Sequence, residues 1–106
     1  MRRSDMDQTT LVRQVLAMTH EIDRAVQLAD WDGAGRLVAA REPYLTSIQA
    51  QQSPEAMLMI REIQAIDAAT MAVSSHARDE LQHEYRAAMG RLDSARRYNS
   101  QAALHY

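Results

Sequence analysis

The chain has 106 residues, a formal net charge of −2, a pI near 6.0, 46% apolar residues and no cysteine. That length holds one hydrophobic core rather than two. The missing cysteine excludes disulfides and thiolate chemistry, and the mild acidity argues against direct nucleic-acid binding. Eighteen alanines, three glycines, two prolines and no phenylalanine favour an all-α fold. All 12 basic residues are arginine, which together with the alanine excess reads as coding bias from a GC-rich genome rather than selection for arginine. No run of about 18 apolar residues occurs, so no membrane insertion is expected. The opening "MRRSDMDQTT" lacks the apolar stretch of a secretory signal, which points to a cytosolic protein.

Residues 1–8 are polar and read as a flexible N-terminal tail. Leu11, Val15, Met18, Ile22, Ala25 and Ala29 then recur at alternating steps of four and three, widened by Val12, Leu16 and Val26. That pattern predicts an amphipathic helix over 9–29, with Thr9 or Thr10 as its cap.

A second helix is predicted over 30–48. Asp30 serves as its N-cap, and Leu37, Val38, Arg41, Leu45 and Ile48 carry its face. Gly33 and Gly35 weaken the first turn, and Pro43 predicts a kink or a break. After the polar "QAQQ", the tripeptide "SPE" restarts the chain, with a capping serine, a first-turn proline and an acid at the positive helix end. A third helix follows over 54–98, with Met59, Ile63, Ile66, Thr70, Val73, Ala77 and Leu81 on one face. It would be about 65 Å long, against about 30 Å for each of the first two. It must therefore overhang its partners or bend, with Gly90 as the expected place. Residues 99–106 remain as a short C-terminal tail. The architecture expected is an antiparallel helical hairpin or three-helix bundle with a long overhanging C-terminal helix, in one domain over 9–98.

Catalytic chemistry finds little support. Glu80 and His83 have the Glu-x-x-His spacing of di-iron and di-manganese bundles, but such sites need a second such pair and further glutamates. His20 and Glu21 on the first helix are adjacent, so they point about 100° apart. A small metal-dependent bundle enzyme is the alternative from another class, and a solvated helix face explains the same residues more simply. Ser74 and Ser75 before His76 lack a strained turn or oxyanion donors, and the "DGAG" glycines follow no strand. No catalytic, metal or cofactor residue is nominated, and an enzyme is not expected.

The apolar residues of the overhang are more informative. Tyr85, Met89, Leu92, Ala95 and Tyr98 lie at steps of four, three, three and three, which suits either packing or an adaptable groove for partner helices. Four arginines and one aspartate between Arg86 and Arg97 give a local charge of +3. That charge suits the negative helix end or an acidic partner.

Two stretches resemble a known family. "ADWDGAGRLVAARE" and "IREIQAIDAATMAVSSHARDELQHEYRAAMGRLDSARRY" are similar to the FliT-like flagellar export chaperones. The likeness is carried by Ile63, Ile66 and Asp67, then Arg78, Glu80 and Leu81, then the small and basic run ending in Tyr98. It implies a cytosolic helical bundle that binds the C-terminal helical region of the filament-capping protein, prevents its premature assembly and delivers it to the type III export gate. In some members it also implies contacts with the export ATPase complex or a flagellar transcriptional regulator. Tyr98, with Arg96 and Arg97, is the implied export-gate contact. The implied substrate groove, between the second and third helices, would be lined by Leu37, Tyr44, Leu45, Leu81, Tyr85 and Met89. A chaperone for hook–filament junction proteins is the neighbouring alternative. Only "NSQAALHY" follows Tyr98, so autoinhibition by a long final helix is not expected, although Leu104 and Tyr106 could dock weakly. An exposed groove also invites self-association into a homodimer.

Overall fold

Three helices follow one another: α1 (Arg2–Gln27), α2 (Trp31–Thr46) and α3 (Pro54–Leu104). The computed structural model describes the backbone of residues 2–104 and the side chains of residues 8–101. The all-α class and the long third helix are as expected, whereas several boundaries differ.

α1 begins at Arg2, inside the stretch read as a flexible tail. Residues 2–8 contain neither Gly nor Pro, so a helix nucleated further along extends backwards without meeting a breaker. Thr9 is therefore no cap. Its hydroxyl lies inside the helix, 3.2 Å from the hydroxyl of Ser53.

α1 ends at Gln27 and not at Ala29. The Asp30 amide donates to the Ala25 carbonyl at 2.8 Å and the Ala29 amide to that of Val26 at 2.9 Å. Ala29 has φ 58°, so this is a Schellman closure with alanine in the left-handed position that glycine usually takes.

Asp30 caps α2 as expected, its carboxylate accepting from the Gly33 amide at 3.0 Å. Gly33 has a specific role here: a Cβ at that position would lie 2.1 Å from Asp30 Oδ2, so any other residue would push the capping carboxylate aside.

Pro43 does not break α2, which runs on to Thr46. Only one backbone bond, to the Ala39 carbonyl, is lost so close to the helix end. The hydroxyls of Thr46 and Ser47 donate to the Pro43 carbonyl at 3.1 and 2.9 Å and close the terminus there, short of the expected residue 48. α3 opens as expected, with Ser53 Oγ accepting from the Ala56 amide at 3.1 Å. It is unbroken at Gly90 and continues past Tyr98 to Leu104, so residues 99–104 are helix rather than tail.

The chain divides into two compact units, Met1–Ser74 and Ser75–Tyr106. In the first, Val12 and Val15 of α1 pack on Ala56 and Ile63 of α3, with Leu45 and Ile48 against them. A second cluster joins Ile22, Ala25 and Val26 of α1 to Ala34 of α2, flanked by Leu37. Early α2 thus meets late α1, and the end of α2 meets early α1, so these helices are antiparallel. Cross-links from α1 to the α3 side rise in the same order along both chain segments: Thr9 to Ser53, Arg13 to Glu55, His20 to Glu62 and Asp23 to Thr70. The unit is an up-down-up three-helix bundle.

One polar group spans all three helices. Arg41 of α2 is only 8% exposed. Its Nη1 donates to Thr19 Oγ1 of α1 at 2.8 Å and to both carboxylate oxygens of Asp67 of α3, at 2.9 and 3.2 Å. Thr19, fully buried, donates in turn to the Val15 carbonyl at 2.7 Å. Removing one partner of a buried ion pair strands the other charge, a loss of about 3–5 kcal/mol when both are dry. The Asp67 side chain is 35% exposed, which lowers that figure. Asp67→Asn is expected to reduce the unfolding free energy by about 2 kcal/mol in urea titration, and Arg41→Met by less, because water can reach the carboxylate left behind. The opposite ranking would show that the carboxylate and hydroxyl left behind, not the stranded guanidinium, carry the larger penalty.

Candidate protein-binding face

The residues nominated for a groove fall in both units. In the first unit, Leu37 and Leu45 are half-buried against the two core clusters, so much of their surface already serves the fold. Tyr44 is exposed. In the second unit, Leu81, Tyr85 and Met89 are all exposed, Leu81 at 66% and Tyr85 at 64%.

Every described residue from Arg78 to Gln101 is exposed. At 3.6 residues per turn, Leu81, Tyr85, Ala88, Leu92 and Ala95 share one side of this helical segment, with Met89 at its margin. An amphipathic helix with its apolar side in water is unusual in a folded chain, because burial of each large side chain is worth about 1.5–3 kcal/mol. Polar residues keep the other side wet. His76 and Glu80 approach to 3.2 Å one turn apart, and Asp93 and Arg97 form a second intrahelical pair. Such exposed pairs add only a few tenths of a kcal/mol to a helix.

Charge is divided along the segment. Asp79, Glu80 and Glu84 come first, with Arg78, and Arg86, Arg91, Arg96 and Arg97 follow them, with Asp93. Tyr98 is 73% exposed and follows Arg96 and Arg97 directly, so all three nominated export-gate residues are accessible.

The Glu80–His83 pair that suggested metal chemistry is not assembled into a ligand set. Glu80 pairs with His76 instead, and among the described residues no three His, Asp or Glu side chains converge. No described helix is long and apolar enough to cross a membrane. The first unit carries further exposed apolar side chains that the sequence reading did not single out, notably Leu58 and Met71 of α3. Their signal in the sequence was their position off the core stripe formed by Ala56, Ile63 and Thr70.

Fold and face together define an all-α bundle whose third helix carries a bare amphipathic segment. A family model described as flagellar protein FliT matches residues 9–100, and the chain belongs to that family, one of flagellar export chaperones rather than enzymes. Comparison with curated proteins and with solved structures found no match.

Gly90 sits within the bare segment, with no atom near the position a Cβ would take. Gly90→Ala is expected to stabilise the segment by about 0.5–1 kcal/mol through lower backbone entropy in the unfolded chain. Circular dichroism would show this as higher helicity on heating.

Proposed function

We propose that this protein is a cytosolic chaperone of type III flagellar export that binds the C-terminal helical region of the filament-capping protein. The observation that supports this most is the uncovered apolar side formed by Leu81, Tyr85, Met89 and Leu92 in a chain of the FliT family. A cap subunit has amphipathic terminal helices that associate with one another. Covering them with a matching helical face blocks that association by mass action and leaves the subunit unpolymerised. Leu37, Tyr44 and Leu45 are the proposed contributions of α2 to the same substrate. Flexible methionine and amphipathic tyrosine suit a helix that must be held and later released. Handing the cargo to an export gate requires modest affinity, about micromolar.

Tyr98 with Arg96 and Arg97 is the proposed contact to the export gate. A basic cluster ending in an exposed aromatic ring offers an acidic partner both steering charge and an apolar anchor. The export ATPase complex and a flagellar transcriptional regulator are the further partners this reading includes.

Two measurements test it. A 1:1 complex with the cap protein's C-terminal fragment is expected in size-exclusion chromatography. The double variant Leu81→Glu with Tyr85→Glu should weaken that complex at least about tenfold while keeping its helical circular dichroism. Absence of any complex from the wild-type chain would remove the cap protein as substrate. Tyr98→Ala should leave folding and cap binding unchanged and weaken binding to the export-gate protein; an unfolded Tyr98→Ala would instead assign that ring a structural role.

A further inference from the structure

We propose that Ala88 and Ala95 are two sockets in the apolar side of the second unit, each seating one large apolar side chain of a bound cargo helix and so selecting which helix is held. The sockets rest on the cargo-binding function proposed above, to which they add the shape the cargo must have.

Leu81, Tyr85, Ala88, Leu92 and Ala95 recur at steps of four, three, four and three, an average of about 3.5 residues. All five are exposed. A stripe with that repeat is narrow, and it meets one other α-helix along its length rather than a sheet or a broad surface. Its edge supports the same occupant. Glu84 and Arg91, one turn to either side of Ala88, stand along one edge, and charges of both signs there suit a helix that carries both signs beside its own apolar side.

Size varies along the stripe. Tyr85 stands one turn before Ala88 and Leu92 one turn after it, so a short methyl lies between two taller side chains. Ala95 repeats the arrangement seven residues on, with Leu92 before it. When two helices pack, each large side chain of one enters a hole made by four residues of the other. The hole bounded by Tyr85, Ala88, Met89 and Leu92 is open at Ala88, and a leucine, methionine or phenylalanine fills it where an alanine would leave a void. The cargo helix is thus one with two large apolar residues seven apart, spaced to reach Ala88 and Ala95 together.

The sign of one substitution separates a socket from a surface that is merely apolar. On a lipid membrane or a loosely fitting partner, Ala88→Leu adds buried area and tightens binding. In a socket the added atoms take the space of the cargo side chain, and overpacking weakens binding.

The test is the affinity of the full chain for the cap protein's C-terminal fragment, measured by isothermal titration calorimetry. Ala88→Leu and Ala95→Leu should each weaken it roughly tenfold. Ala87→Leu, about 100° round the helix from Ala88 and outside the stripe, should leave it unchanged. Leucine is nearly as good a helix former as alanine, so all three variants should keep their helicity, which circular dichroism checks. Replacing one large apolar residue of the fragment by alanine should restore binding to Ala88→Leu. Replacing another, seven residues from it, should restore binding to Ala95→Leu. An Ala88→Leu chain that binds as tightly as the wild type, or more tightly, overturns the sockets alone. So does an alanine scan of the fragment in which no substitution restores binding, or an Ala87→Leu chain weakened as much as Ala88→Leu. A wild-type chain that binds no fragment removes the function proposed above and the sockets with it.

Discussion

Arg41 is the charge on which the bundle converges. It leaves α2, touches Thr19 on α1 and grips the carboxylate of Asp67 on α3. Desolvating a guanidinium is costly, and Nη1 offsets part of that cost by meeting Thr19 Oγ1 and both Asp67 oxygens, while Nε is buried with no partner among the described residues. An apolar contact between two helices can slide by a turn with little loss, whereas a two-sided polar grip has one satisfied register. The core of this unit is mostly small, with Val, Ala and Ile as its deepest apolar residues. Such a core specifies alignment weakly, and the Arg41 contact supplies the alignment that packing leaves open.

α3 is used in two ways. Over residues 54–74 its apolar side is covered by its own chain, through Ala56, Ile63 and Thr70. Beyond residue 77 the apolar pattern continues in the sequence, at Leu81, Tyr85 and Leu92, but every described side chain is exposed. A helix that carries an apolar side along a stretch its own chain does not cover is stable in water only to the extent that intrahelical pairs and propensity allow. That makes the segment a natural acceptor for another helix. Exposure and marginal local stability then share one cause: none of the described residues covers the apolar side of this segment.

Much of the fold was legible from the residues alone. The alternating steps of three and four, the Asp30 and Ser53 caps and Pro54 at a first turn are local signals, and local signals set the number of helices and where two of them begin. The errors were local too. Thr9 was read as a cap because threonine favours that position, yet nothing before it stops a helix. Pro43 was read as a kink or a break and Gly90 as the place of a bend, yet α2 continues past the one hydrogen bond that Pro43 loses and α3 continues as helix through Gly90. Propensity, a penalty of about 1 kcal/mol for glycine and about 3 kcal/mol for proline, yields to context when a whole helix is at stake.

The sequence by itself determined an all-α chain, the amphipathic stripes, the division of charge along the last helix and the family to which the chain belongs. Only the tertiary structure decided which parts of those stripes are covered. It half-buried Leu37 and Leu45, left Leu81 and Tyr85 bare, and brought Thr19, Arg41 and Asp67 together. The reason is physical: periodicity states that a side chain has an apolar neighbourhood to seek, while its partner lies tens of residues away and is chosen by packing.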